Sequence, residues 1–254
     1  MDHAVNERRL NIGCGAHALP GWVNLDLAAH APGVITHDIR QALPFPENSF
    51  AVVYHSHVLE HLPHPDAPRF LRECYRVLRP GGLLRVAVPD LETICRLYLA
   101  NLEGALAGDR AAAQRYEWMV LELLDQLVRD RTGGEMMEYW QRDPLPAEAF
   151  VVARMGGEVV RFREWWRQQP PAPPVLPAAG VEDRVRTSGE LHKWMYDRWS
   201  LRCLLARAGF VDIRQCAAAE SRLAELRRVD LTADGAVRKP DSLFMEATKP
   251  DRTA

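Results

Sequence analysis

The sequence predicts an α/β protein whose parallel sheet is split into two stretches by a helical insertion. Three observations carry this reading. Over residues 8–90, short apolar runs alternate with turn signals and one amphipathic helix, and strands joined by crossovers of that kind pair in parallel. Residues 91–169 then change to helical patterns. Two β-like runs return only near the end, at Phe210–Cys216 and Ser242–Ala247.

The first strand, Arg9–Ile12, runs straight into Gly13-Cys14-Gly15. The second, Trp22–Leu27, follows the turn pair Pro20-Gly21, and the third is Val34–Asp38. A loop rich in turn formers (Pro44, Pro46, Asn48, Ser49) leads to Phe50–Tyr54. That compact apolar run is of the sort that buries both faces in a parallel sheet. Within 66–79, Phe70, Leu71, Cys74, Val77 and Leu78 share one helical face while arginines occupy the other. Pro80-Gly81-Gly82 is read as the stop of that helix and Leu83–Val88 as a fifth strand. The helical stretch is broken at Gly133-Gly134, around Pro144–Pro146 and at Gly156-Gly157. Residues 168–180 are dense in proline and read as an extended connector. A last helix, within 190–209, ends at Gly209. The expected organisation is an N-terminal part over 1–100, an insertion over 101–190, and a C-terminal part over 191–254 that completes the sheet.

Composition narrows the function classes. The chain has 254 residues, 47% hydrophobic and 26% charged, too apolar for a disordered protein. Thirty-two basic residues stand against 34 acidic ones, without the basic excess that gripping phosphates requires. No stretch approaches the roughly 18–20 apolar residues of a membrane span, and the first residues lack the apolar run of a signal peptide. The five cysteines are scattered, with no CxxC pair, and suggest neither a zinc site nor a disulfide framework. A cytoplasmic chain with reduced thiols is the expectation, with no nucleic-acid partner, no membrane span and no metal.

The glycine turn is the most informative local feature. A strand delivered into Gly13-x-Gly15 lets a ligand approach backbone that a Cβ would shield. The second strand ends at Asp26, whose carboxylate could accept both hydroxyls of a ribose. The third ends at Asp38, whose carboxylate could accept from an exocyclic amine. In open α/β sheets ligands bind outside the carboxyl ends of the strands, and all three features sit there.

Taken together, LNIGCG, GWVNLDL, HDIRQALPFPENSFAVVYHSHVLEHL and RVLRPGGLLRVAVPDL resemble the class I S-adenosylmethionine-dependent methyltransferases, in particular the group called methyltransferase type 11. The likeness is close over residues 9–91 and loose over 192–216. It implies a Rossmann-like, seven-stranded, mostly parallel sheet with helices on both faces and the last strand antiparallel, binding S-adenosyl-L-methionine. Carried over by position, Asn11, Gly13, Cys14 and Gly15 would wall the methionine part of the cofactor. Asp26 would hold the ribose beside Leu27, Asp38 the adenine amino group, with Ile39 against the ring. His55 and Ser56 would line the mouth where the methyl group points.

Two departures stand out. Where many relatives have a third glycine, this chain has His17. Gly15 also stands only 11 positions before Asp26, against about 20 where a full helix intervenes, so the first crossover is expected to shrink to a turn or two.

His55, His57, His61 and His64 form the densest histidine cluster in the chain. An imidazole titrates near neutral pH and can take a proton from an attacking hydroxyl, which makes His55 and His57, with the more distant His192, the candidate bases. His61 reads as scaffold. HVLEH is not HExxH, because Glu60 precedes His61 rather than following His57, so a zinc site is not implied. For the acceptor, the candidates are Asp90 and, in LHKWMYDRWS, Trp194 and Tyr196. Six of the seven tryptophans follow residue 100, with Arg154, Arg161 and Arg163 near two of them. Such a set suits a sugar or phosphorylated ligand, and it equally suits the insertion's own core or a homodimer interface.

The function expected is methyl transfer to a small-molecule or glycan-precursor acceptor, with O-methylation favoured by the histidines. Transfer to nitrogen, carbon or sulfur is the alternative, and a cofactor-binding but non-catalytic regulatory partner is the third reading.

Overall fold

The computed structural model describes residues 8–169 and 189–251. Strands β1 (Arg9–Ile12), β2 (Val23–Asp26), β3 (Val34–Thr36) and β4 (Phe50–Ser56) form where the apolar runs place them. Helix α1 (Ala67–Val77) buries Phe70, Leu71, Cys74 and Val77. Strand β5 (Leu78–Pro89) follows without a break. After the helices α2 (Leu91–Leu106), α3 (Arg110–Val128), α4 (Gly134–Trp140), α5 (Glu148–Met155) and α6 (Gly157–Arg167) come α7 (Arg198–Arg207), β6 (Val211–Cys216) and β7 (Ser242–Thr248). The seven strands form one sheet in the order β3-β2-β1-β4-β5-β7-β6. Only β7 runs antiparallel to its neighbours. The sheet is the Rossmann-like one the family resemblance implies.

β5 corrects the expectation around Pro80-Gly81-Gly82. These residues lie inside the strand rather than in a stop between helix and strand. The helix ends at Val77, and the backbone of the glycine pair is taken up by the sheet: Gly81 N–H donates to Lys249 O, and Lys249 N–H donates to Gly82 O. A register shift between Phe50 and Val52 absorbs the irregular segment. The crossover from β1 to β2 contains turns and no helix, as its short spacing requires. In the helical stretch, breaks fall at Gly133, before Glu148 and at Gly156, and one more falls at Ala107–Asp109. The connector expected over 168–180 lies, from residue 170 onward, outside the described residues.

The chain forms two compact units. The first comprises Met1–Pro89, Lys193–Arg222 and Ser242–Ala254 and holds the whole sheet with α1 and α7. On one face, Leu10, Ile12, Val53, Val86 and Met245 pack with Phe70 and Leu71 of α1 and Leu201 and Leu205 of α7. On the other face, Arg85 and Glu246 pair directly across β5 and β7, both fully buried and 2.9 Å apart. Arg85 also donates to Ala218 O and Glu220 O, so the segment after β6 covers this face. The second unit comprises Asp90–His192 and Leu223–Asp241. Its core includes Trp118, Met119, Tyr139, Val151 and Val159. Glu122 accepts from Trp118 Nε1 and forms a buried ion pair with Arg154.

Candidate functional site

Strand order reverses between β1 and β4, and their carboxyl ends lie side by side, with Ile12 paired to His55. This is the switch point at which open α/β sheets take ligands. Two loops leave it. Gly13 turns in the left-handed region at φ +68°, and a Cβ there would fall 2.2 Å from Val58 Cγ2. The glycine turn and the loop after β4 are thus packed against each other. Gly15 is also left-handed, at φ +50°, with open space where its Cβ would be. Its N–H donates to Asp26 Oδ2 at 2.7 Å, while Asp26 Oδ1 accepts from Ala28 N–H at 3.1 Å. Both carboxylate oxygens are therefore fixed by backbone at the end of β2, and each retains acceptor capacity.

The remaining candidates divide. Asn11 is buried and bridges strands, its Nδ2 donating to Asn24 Oδ1 and to His17 O. That corrects its assignment to the cofactor wall. Cys14 is buried too, its thiol held by Gly15 O and pushed up in pKa first by burial and then by Asp26. Leu27 is exposed. Asp38 is engaged by Arg40 through Nε and Nη2, which holds its carboxyl below the ordinary range. In this state the oxygens offered for an adenine amine are occupied. Ile39 packs half-buried against the core. Ser56 ends β4, half-buried.

His55 is the clearest correction. Its pairing with Ile12 puts it on the core side of β4, where it is fully buried and sits 5.2 Å from the Phe70 ring. Burial pushes its pKa down from 6.5 to about 4. It does not line the mouth of the edge. Tyr196 is also in the core, its hydroxyl without a hydrogen-bond partner among the described residues. Trp194 is partly exposed and lies over His64, ring centroids 4.3 Å apart. In the second unit His192 is buried, its N–H donating to Gln126 O, and Asp90 caps α2 by accepting from Thr93 N–H. Neither placement is that of an open base or acceptor contact within its own unit.

His57 is different. It follows β4 at φ +54°, a left-handed conformation costing a bulky residue about 1–3 kcal/mol. Its N–H is bonded to Ala87 O at 2.9 Å. Nε2 lies 2.7 Å from Ser242 Oγ, and Nδ1 lies 3.3 Å from Oε1 of the buried Glu60. Sequence reasoning did not single out Ser242 or Glu60 as partners of His57. Glu60 carried a signal, since a carboxylate three positions after a histidine within a short turn can reach its ring. Ser242 carried none, because it is 185 positions away.

The tryptophans and arginines of the insertion serve mainly its own packing. Arg154 is spent on Glu122, and Arg163 donates to Trp140 O and Arg142 O. A cleft of about 280 Å³ remains, bordered by Trp140, Asp143, Arg163, Trp166 and Arg167.

Comparison with known proteins finds methyltransferases. Residues 23–86 match the family model described as a methyltransferase domain. That stretch, about a quarter of the chain, is similar to methyltransferase domains. A probable methyltransferase of Aspergillus luteorubrus is 42% identical over 108 residues, covering 39% of this chain and 38% of that protein. A probable S-adenosylmethionine-dependent methyltransferase of Mycolicibacterium smegmatis is 45% identical over 56 residues, covering 22% of this chain and 21% of its own. One of Mycobacterium tuberculosis is 52% identical over 48 residues, covering 19% and 17%. The chain thus spans well under half the length of the curated relatives it matches. Over the whole backbone the likeness is loose: a solved methyltransferase from Archaeoglobus fulgidus has a TM-score of 0.43 at 14% identity, covering 96% of this chain and 86% of that one.

S-adenosylmethionine is the cofactor named for the mycobacterial relatives, and the edge has groups that fit it. The positive φ of Gly13 and Gly15 and the open space beside Gly15 leave backbone accessible. Asp26 offers a fixed carboxylate to a diol. Among the described residues no helix is long and apolar enough to cross a membrane.

Proposed function

We propose that this chain transfers a methyl group from S-adenosylmethionine to a hydroxyl of a small molecule or glycan precursor, in the cytoplasm. The observation that carries the reading is the joining of two features at one sheet edge. The glycine turn abuts Val58, and the next residue back is His57, a histidine held in a strained backbone conformation with Nε2 engaged by a hydroxyl. Gly13 and Gly15 would face the methionine part of the cofactor and Asp26 its ribose. When bound, the cofactor supplies a methyl carbon already activated by the sulfonium charge, so the protein's task is alignment and removal of a proton.

That last task selects the acceptor class. A hydroxyl must lose its proton to become an ether, and a general base contributes typically about 10²–10⁴-fold. His57 is the histidine of the edge in a position to do this, since His55 is sealed in the core. A reducing compartment fits the five free thiols, and the balance of 32 basic against 34 acidic residues fits a small acceptor better than nucleic acid.

Calorimetry tests the cofactor: S-adenosylmethionine binds the wild type, and Asp26→Ala weakens binding at least about tenfold, the value of hydrogen bonds to a charged group. Unchanged binding in the variant would remove Asp26 from the site. Mass spectrometry of cell extracts incubated with enzyme and cofactor then identifies the methylated product. His57→Ala should slow its formation by about 10²–10⁴-fold, and full turnover in that variant would point to an acceptor that needs no base.

A further inference from the structure

Ser242, His57 and Glu60 come from three separate parts of the first unit. β7 is antiparallel to β5, so its first residue, Ser242, lies opposite Pro89, where β5 ends. His57 follows the end of the neighbouring β4. Glu60 lies in a short 3₁₀ turn (Leu59–His61) and is fully buried, while the His57 side chain is 17% exposed. Nδ1 thus faces a carboxylate at 3.3 Å and Nε2 faces a hydroxyl at 2.7 Å.

The carboxylate in ion-pair range of Nδ1 favours one direction for the protons. A carboxylate in a low-dielectric site favours the proton on the nitrogen that faces it, which leaves the lone pair on the other ring nitrogen. With that tautomer, Ser242 is the donor and His57 Nε2 the acceptor of their 2.7 Å hydrogen bond. Glu60 also favours the imidazolium, because an opposite charge at this distance stabilises the charged form. The field of Glu60 reaches His55 and Tyr196 as well, and a ring nitrogen of His61 lies within 4.8 Å of a Glu60 oxygen. His55 and Tyr196 are driven toward their neutral forms chiefly by burial, so neither of these two competes as the proton acceptor.

We propose that Ser242, His57 and Glu60 form a proton relay for the acceptor. As the acceptor hydroxyl gives up its proton to Ser242 Oγ, the proton already on Ser242 passes to His57 Nε2. The bonds broken are the acceptor O–H and the serine O–H, and those formed are a new serine O–H and an imidazole N–H. The acceptor oxygen keeps its electron pair for the methyl carbon, the positive charge rests on His57 beside Glu60, and the partly exposed imidazolium returns its proton to water. Ser242 is the catalytic contact, and Glu60 is a positioning residue that acts through His57. The relay rests on the reading above that the acceptor is a hydroxyl.

The test is imidazole nitrogen NMR on the full chain, with His57 assigned by the signal lost in His57→Gln. The neutral ring should carry its proton on Nδ1. Glu60→Gln should lower the His57 pKa by about one to three pH units, and Glu60→Asp should restore part of it. Ser242→Ala should move the Nε2 resonance and leave the tautomer unchanged. A proton on Nε2 in the neutral wild type, or a His57 pKa indifferent to Glu60→Gln, would overturn the relay. If Glu60→Gln fails to fold, Ser242→Ala with the wild-type tautomer still decides it. With an acceptor in hand, the acid limb of the kcat profile should move with Glu60→Gln while cofactor affinity by calorimetry stays constant. Loss of cofactor binding in the wild type would strike the functional reading alone, since the tautomer and pKa are measured without it.

Discussion

At the scale of single residues, the two neighbours His55 and His57 show how one strand end assigns opposite fates to one side-chain type. Alternation along β4 puts His55 beside Ile12 and against Phe70, whereas the left-handed turn at His57 sends it to a hydroxyl and a carboxylate. Burial drives His55 down from 6.5 to about 4, so the unfolded chain binds a proton that the fold excludes. The sign follows from linkage. The stabilisation is complete above pH 6.5 and is lost as pH falls toward about 4, amounting to roughly 3 kcal/mol at 1.36 kcal/mol per pH unit. Urea unfolding of wild type and His55→Leu across that window should show the wild type losing more stability than the variant as pH falls. Parallel curves would show that His55 titrates alike in both states. This residue was legible in the sequence in principle: Val53 and His55 share the parity of Leu10 and Ile12 once β1 and β4 are in register. Only the register was missing. Asp26 and the glycine turn needed no register, because their meaning depends on being at strand ends. Asp38 did stand just beyond a strand end, and what the sequence hid was Arg40, two residues on and able to occupy it.

At the scale of elements, the boundary between α1 and β5 shows a local signal yielding to a tertiary one. Pro-Gly-Gly after a helix is a stop signal, yet Gly81 and Gly82 bond to Lys249 at the end of β7 and extend the strand. The alternation of strands and the five β-like runs before residue 90 were readable because apolar runs of that length have few other uses. What could not be read was how a distant strand would recruit the glycines. Their role is steric as well: a Cβ on Gly82 would lie 2.8 Å from Arg79 O and 3.1 Å from Ala51 O, both backbone. Gly82→Ala should therefore destabilise the fold by about 1–3 kcal/mol, the usual cost of an overpacked site. Thermal unfolding measures it, and an unchanged midpoint would mean that the irregular segment between Phe50 and Val52 yields freely.

At the scale of the whole molecule, the interleaving of the chain separates two kinds of stability from one another. The sheet unit owns the glycine turn, Asp26 and the relay, whereas Asp90–His192 and Leu223–Asp241 build a core of their own around Trp118. That second core contains a buried ion pair, Glu122 with Arg154, in which burial pushes the carboxyl of Glu122 up even with the guanidinium beside it. Removing one partner of a buried pair strands the other charge and costs about 3–5 kcal/mol. Arg154→Met should accordingly lower the unfolding midpoint of the second unit. Tryptophan fluorescence is weighted toward it, because four of the seven tryptophans, Trp118, Trp140, Trp165 and Trp166, lie in that unit. At a temperature where the variant is still folded, S-adenosylmethionine should bind it within about twofold of wild type, since none of the residues assigned to the cofactor belongs to the second unit. A matched loss of binding and of the fluorescence transition would show instead that the cofactor edge is completed from beyond the sheet, and would move the search for acceptor contacts into Asp90–His192.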